Sequence, residues 1–140
     1  MMETIRKDVV IIGGGPAGLA AALELYRRDI KDIVLIERDE TLGGILNQCI
    51  HDGFGLIRFG ETLTGPEYAS RFIQDIRKVN LPVHSGAMVV DLTRDKEVTV
   101  ASREGWLKYQ AKAVILAMGC RERTRGALSI PGSRPAGIYT

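Results

Sequence analysis

Apolar residues in this chain gather in short uninterrupted runs separated by glycine-rich or charged stretches. Val9-Val10-Ile11-Ile12, entered at Asp8 and closed by Gly13, is the first. A run without alternation predicts a strand covered on both faces, as in a parallel sheet. The period changes from Pro16 to Arg28, where Leu19, Ala22, Leu23 and Tyr26 recur at spacings of three and four. That stripe predicts an amphipathic helix. Pro16 suits its first turn, where a missing N–H does no harm. Arg27 and Arg28 put positive charge at the negative end of its dipole. Ile33-Val34-Leu35-Ile36 predicts a second buried strand, ending at Glu37. Asp8 to Glu37 therefore reads as one β-α-β unit, a crossover that is nearly always right-handed with parallel strands.

Asp39 to Gly65 breaks the pattern. It is rich in glycine and almost without periodicity, and it predicts a long irregular segment with at most a short helix. Gly65-Pro66 opens a helix to about Asn80, with Tyr68, Phe72, Ile73, Ile76 and Val79 on one face, and Pro82 stops it. Val83-His84-Ser85 predicts a short strand. Ala87–Thr93 and Glu97–Ser102 predict two more, joined by a charged turn, with Trp106–Tyr109 completing a small antiparallel meander. Ala113-Val114-Ile115-Leu116-Ala117 is a further apolar strand leading to Gly119. From Arg121 the chain turns polar and rich in glycine and proline, until Ile138-Tyr139-Thr140, which reads as the start of a strand. The expected fold class is α/β: a Rossmann-like domain over 1–140 with a parallel central sheet and the meander.

Composition narrows the partners. The chain has 140 residues, enough for one domain with a real core. Nineteen Lys+Arg against 17 Asp+Glu leave a net charge of +2, which calls for no nucleic-acid partner. Cys49 and Cys120 are the only cysteines and lie far apart, and no His/Cys cluster has zinc spacing. The apolar stretch after the charged start is too short for a signal core or a membrane span. The expectation is a cytoplasmic protein without a bound metal. The glycine count of 16 exceeds the usual share, and the glycines cluster without a repeat.

The clusters carry the chemistry. Gly13-Gly14-Gly15-Pro16-Ala17-Gly18 matches G-x-G-x-x-G between a strand and a helix, the context in which that motif signals dinucleotide binding. Gly13 permits the turn out of the strand, Gly15 lets a pyrophosphate approach the backbone, and Gly18 lets helix and strand pack closely. The free N–H groups of the helix start favour phosphate. Glu37 follows Gly18 by 19 residues at the end of the second strand, where a carboxylate accepts hydrogen bonds from ribose hydroxyls and repels a 2′-phosphate. Arg38 beside it is a group able to meet a phosphate. The fingerprint leaves FAD and NAD both open. The meander favours FAD, since a minimal NAD-binding domain has no need of it.

The Gly13–Gly18 turn, Glu37-Arg38 and then Leu42-Gly43-Gly44 together resemble the amino terminus of the flavoproteins with two dinucleotide-binding domains, including the pyridine nucleotide–disulfide oxidoreductases. The resemblance implies that Gly43 and Gly44 pass close to FAD. It also implies that Met88 or Val89 lies near the adenine, and that Ala117-Met118-Gly119 stands where relatives carry Ala-Thr-Gly, Met118 losing the hydroxyl. Gly44-Ile45-Leu46-Asn47-Gln48-Cys49-Ile50-His51 and Leu63-Thr64-Gly65-Pro66-Glu67-Tyr68 resemble a bacterial subgroup. Its members are flavoprotein subunits beside glycerol-3-phosphate dehydrogenases and in amino-acid or opine dehydrogenases. The resemblance implies an FAD-dependent, NAD(P)H-linked oxidoreductase that transfers hydride through the flavin, with another dehydrogenase subunit or further chain as partner.

Departures from the family matter as well. Disulfide-reducing members carry two cysteines four residues apart after the paired glycines, and here that region has only Cys49. A dithiol relay within the chain is not expected. Cys49 with His51 nearby is a candidate reactive thiol, set against a plain buried packing role; Cys120 reads as packing. His84 reads as structural, Trp106 as an apolar cover for the meander, and Arg121, Arg123 and Arg125 as either a phosphate-facing or a solvated stretch. A second glycine fingerprint and a late Gly-Asp motif are missing. The expectation is thus a fragment holding the adenosine and pyrophosphate half of an FAD site. The competing readings are a small NAD-binding module and a non-catalytic nucleotide-binding interaction subunit.

Overall fold

The structure is a computed structural model that describes residues 4–121, 123–129, 132, 133 and 136. The expected strand start at Ile138–Thr140 lies outside those residues. The chain runs β1 (Thr4–Ile12), α1 (Pro16–Arg27), β2 (Ile33–Ile36), a 3-10 helix (Gly44–Gln48), α2 (Leu56–Phe59) and α3 (Gly65–Lys78). It continues with β3 (Val83–His84), β4 (Ala87–Leu92), β5 (Glu97–Ser102) and β6 (Gly105–Leu116). All six strands form one sheet in the order β3-β2-β1-β6-β5-β4. The pairs β3–β2, β2–β1 and β1–β6 are parallel, and β6–β5 and β5–β4 are antiparallel.

Alternate residues of β1 explain its unbroken apolar run. Val9 and Ile11 face a core built with Leu19, Ala22 and Leu23 of α1 and Phe72 and Ile76 of α3. Val10 and Ile12 face the opposite way, onto Val98, Val100 and Tyr109 of the antiparallel strands. β2 divides likewise, Ile33 and Leu35 to the first core and Val34 and Ile36 to the second. Each residue thus buries its side chain on one of two covered faces, the arrangement that demands continuous rather than alternating hydrophobicity.

The predicted meander needs correction. Trp106–Tyr109 and Ala113–Ala117 are not separate strands but the two halves of β6. Gln110, Ala111 and Lys112 bridge them because both neighbours keep the backbone paired there. Glu97 of β5 pairs with Gln110, and Arg6 and Lys7 of β1 pair with Gln110 and Ala111. The same pairing starts β1 at Thr4, before the apolar run. The meander is therefore continuous with the parallel sheet, and β6 is the strand at which the sheet changes from parallel to antiparallel. Trp106 covers nothing: it stands 61% exposed. His84 has a structural partner, its Nε2 lying 3.2 Å from the Tyr109 hydroxyl. Tyr109 is buried, and that burial raises its pKa.

The two long helices end differently. Thr64 caps α3: its hydroxyl oxygen accepts from the Glu67 N–H at 3.4 Å, and the Glu67 carboxylate accepts from the Thr64 N–H at 2.8 Å. Gly15 caps α1 with no side-chain hydrogen bond, and no acidic residue occupies the first turn. Among the described residues, no helix is long and apolar enough to cross a membrane.

Candidate functional site

The carboxyl ends of β1, β2 and β6 converge on the Gly13–Gly18 turn. β1 sits between β2 and β6, so the chain leaves it to opposite sides of the sheet, the position where α/β folds bind ligands. Gly13 continues the sheet by donating its N–H to the Ile36 carbonyl at 2.8 Å, and Ala117 donates to the Ile12 carbonyl at 2.8 Å.

The glycines of the turn differ in what holds them to glycine. Gly13 has φ +109, and a Cβ there would overlap the Ala117 carbonyl. A Cβ on Gly18 would overlap the Gly13 carbonyl, so helix and strand approach as closely as backbone permits. A Cβ on Gly14 would meet the Leu42 side chain and lie 3.1 Å from a Glu37 carboxylate oxygen. Gly15 is the exception. Its φ of −76° and ψ of −173° suit any residue, and a Cβ would find nothing nearer than the Gly44 Cα at 3.9 Å. The protein itself does not require glycine at position 15.

Glu37 is the one acidic residue in the buried set, at 6% exposure. Its place at the strand end matches the sequence expectation; the structure adds that its carboxylate is already held. Oε2 accepts from the Gly14 N–H at 2.6 Å and Oε1 from the Asp39 N–H at 2.9 Å. Among the described residues no cation pairs with it. A carboxylate has about four acceptor positions, so two backbone donors leave capacity for two more hydrogen bonds. Arg38 points away into solvent, its guanidinium 3.8 Å from Asp39.

The second glycine pair joins the first. The Gly43 N–H donates to the Gly14 carbonyl at 2.9 Å, and a Cβ on Gly44 would lie 3.1 Å from the Gly15 Cα. β4 enters from the other side, where Ala87 donates to the Glu37 carbonyl at 3.0 Å and Gly86 to the Asp39 carbonyl at 2.9 Å. Met88 follows, 58% exposed, while Val89 is half-buried on the second core. Met118 is 67% exposed beyond β6, and Gly119 turns the chain at φ +69. Gly13–Gly18, Glu37, Gly43, Gly44 and Ala117 are thus one connected surface, with Met88, Val89, Met118 and Gly119 at its edges.

Other candidates stand apart from one another. Cys49 is half-buried, its thiol 3.4 Å from the Ile45 carbonyl, and His51 Nδ1 faces the Asp52 carbonyl at 2.9 Å. No hydrogen bond joins the pair among the described residues. Cys120 is exposed and, like Cys49, free. Arg121 and Arg123 face solvent, and the Arg125 guanidinium donates to the Gly132 carbonyl. No group of three or more His, Cys, Asp or Glu side chains is placed to hold a metal among the described residues. Sequence reasoning missed two contributors, Leu42 and Asn47. Leu42 fills the space Gly14 leaves, and Asn47 packs on Gly43. A leucine and an asparagine in an irregular loop carry no periodic signal.

Known proteins resemble this arrangement. Thioredoxin reductase of Listeria monocytogenes serovar 1/2a is 32% identical over 122 residues, covering 86% of this chain and 36% of that protein. The crystal structure of thioredoxin reductase from Streptococcus pyogenes superposes with a TM-score of 0.66 at 28% identity, over 87% of this chain and 38% of the other. That of L-proline dehydrogenase from P. horikoshii gives 0.71 at 27% identity, over 85% of this chain and 24% of the other. The chain therefore spans well under half the length of these relatives. Homologues of this type are FAD-dependent oxidoreductases that use NAD(P)H. The family described as pyridine nucleotide-disulphide oxidoreductase matches residues 7–140, and this chain belongs to it.

Proposed function

We propose that the connected surface holds the adenosine and pyrophosphate half of FAD, within an NAD(P)H-linked oxidoreductase. The observation that carries this reading is Gly15: a glycine in an ordinary backbone conformation, beside open space, at the uncapped start of α1. Its missing Cβ is explained by a group outside the chain that must come close. The residues present fit the cofactor. Glu37 retains acceptor capacity for ribose hydroxyls, and the free N–H groups at Ala17 and Gly18 in the first turn suit a pyrophosphate.

Each proposed contact follows from placement. Gly13, Gly14, Gly15, Pro16, Ala17 and Gly18 form the phosphate turn, Pro16 fixing the first helical residue without offering a competing donor. Glu37 orients the ribose, and its negative charge disfavours a 2′-phosphate there. Gly43 and Gly44 supply close-lying backbone, Met88 and Val89 border the adenine, and Ala117, Met118 and Gly119 form the opposite rim. Arg38 is exposed enough to meet solvent or phosphate, and nothing ties it to the ribose. Bound here, FAD supplies hydride and electron transfer through its flavin ring. This chain's part is to bind and orient the dinucleotide.

Two finer points belong to the same reading. The lone half-buried Cys49 and exposed Cys120 favour chemistry without a redox dithiol within this segment. The motifs around Gly44–His51 and Leu63–Tyr68, with the similarity to L-proline dehydrogenase, favour the subgroup of glycerol-3-phosphate and amino-acid or opine dehydrogenase flavoproteins. That makes the remaining chain or a dehydrogenase subunit its partner, and the site one half of a larger domain.

The test is an equilibrium titration of FAD with the purified protein, read by flavin absorbance and fluorescence, on the wild type and Glu37→Gln. Saturable binding that weakens at least about tenfold in the variant is expected, since a charged hydrogen bond is lost. Equal affinity of both proteins would remove Glu37 from the site. For the subgroup, the whole protein is assayed with glycerol 3-phosphate, amino acids and disulfide substrates. Turnover of a protein disulfide alone overturns the dehydrogenase reading.

A further inference from the structure

We propose that Asn47 is a positioning residue for the dinucleotide, fastening the Gly43–Gly44 loop onto the phosphate turn before the ligand arrives. The proposal rests on the FAD reading above. Its geometry begins at the Asn47 amide, whose Nδ2 donates to the Leu42 carbonyl at 3.0 Å. A carbonyl only accepts, so the amide nitrogen must face Leu42 and Oδ1 must turn toward Gly43. A Cβ on Gly43 would lie 2.5 Å from that Oδ1 and 3.0 Å from Cγ, so the Asn47 side chain lies flat against the Gly43 backbone. Position 43 is thereby held to glycine by Asn47 as well as by its φ of +117.

The contacts run onward to the phosphate turn. Gly43 donates its N–H to the Gly14 carbonyl at 2.9 Å and accepts from the Leu46 N–H at 3.2 Å. The Leu42 side chain occupies the space beside Gly14, and Gly44 lies against Gly15. Asn47 thus clamps both ends of a turn whose middle touches the two residues closest to the proposed pyrophosphate. Two adjacent glycines are the most mobile backbone available, so without a clamp this loop samples many conformations. A binding-competent fraction below one weakens apparent affinity by that fraction.

Anchoring and positioning fall on neighbouring side chains. Leu46 is 5% exposed and fixes the 3-10 helix to the body of the protein. Asn47 is exposed, belongs to neither apolar core, and makes its described hydrogen bond only to the loop. Removing its amide therefore leaves the fold intact and changes the loop.

The experiment compares wild type, Asn47→Ala and Asn47→Leu, the second keeping side-chain bulk without a donor. Three quantities are read: melting temperature without ligand, exchange of the Gly43 amide proton, and FAD affinity by fluorescence titration. The expected result is an unchanged melting temperature, faster Gly43 exchange and FAD binding weakened about 3–10-fold in both variants, the scale of one hydrogen bond. Wild-type affinity in the variants overturns the proposal while leaving the FAD reading standing. A large fall in melting temperature in both makes Asn47 a structural residue and also overturns it. Wild-type protein that fails to bind FAD overturns the underlying reading before any substitution is made.

Discussion

Replacing Gly15 by alanine separates a residue kept for the ligand from residues kept for the fold. In the folded chain the new methyl meets nothing nearer than the Gly44 Cα at 3.9 Å, an ordinary contact, and φ of −76° needs no adjustment. Two small effects oppose each other. Alanine restricts the unfolded chain and stabilises by about 0.4–1 kcal/mol. Alanine is also a poorer N-cap than glycine, which costs a similar amount. The net change is within about 1 kcal/mol, or about 4 °C in melting temperature for a chain of this size. Gly18→Ala is the contrast, because its methyl would overlap the Gly13 carbonyl, a backbone atom that cannot swing aside. Overpacking of that kind costs about 1–3 kcal/mol or more. Gly13→Ala adds a positive φ to a similar overlap and should be worse. Thermal melts of the unliganded proteins then order as wild type and Gly15→Ala together, Gly18→Ala lower, Gly13→Ala lowest. FAD titration gives another order, with Gly15→Ala weakened at least about tenfold because its methyl occupies the pyrophosphate's approach. Gly15→Val should abolish binding with the fold retained. An early melt for Gly15→Ala, or wild-type FAD affinity in it, refutes the assignment of that glycine to the ligand.

Glu37→Arg is expected to weaken FAD binding and also lower stability, because it strands the Gly14 and Asp39 N–H groups that the carboxylate now accepts from; about 1–3 kcal/mol for a buried unsatisfied donor is the scale, read by denaturant melts. Thr64→Ala removes the α3 cap and should cost about 1 kcal/mol, with FAD affinity unchanged. The Thr64 N–H and hydroxyl hold the Glu67 carboxyl below its ordinary pKa, so the cap's contribution is present above the usual glutamate range and is lost as pH falls through the lowered value. Fraying of α3 in acid, followed by amide exchange, should therefore disappear as a pH-dependent effect in Glu67→Gln. Tyr109→Phe removes the hydroxyl beside His84 and should destabilise by about 0.5–1.5 kcal/mol without altering the ligand surface.

The β-α-β unit is legible in the sequence because its residues obey single periods: four apolar residues in β2 all buried, and a three-four stripe on α1. The glycine motif is legible for the same reason, since steric demands at Gly13 and Gly18 are local. β6 is not, because Gln110 and Lys112 interrupt its hydrophobicity, and only pairing to β5 and β1 holds them in a strand. Trp106 defeats a pattern reading because a large apolar side chain near a sheet edge has no local mark of which way it faces. The double duty of Glu37, toward Gly14 and Asp39, arises in part from a turn 23 residues away and has no sequence signature. Leu42 and Asn47 escape for a related reason: they act by filling space beside glycines, and spacing says nothing of that.

The central claim is that this surface recognises adenosine diphosphate chemistry as part of FAD. Titrating the protein with FAD, FMN and NADH, and chasing bound FAD with ADP, tests it most directly, because FMN carries the flavin without the adenosine half. The account predicts saturable FAD binding, displacement by ADP, and FMN binding weaker by at least about a hundredfold, as expected when most of the contacts are lost. FMN bound as tightly as FAD, or NADH bound by a protein that ignores FAD, contradicts it.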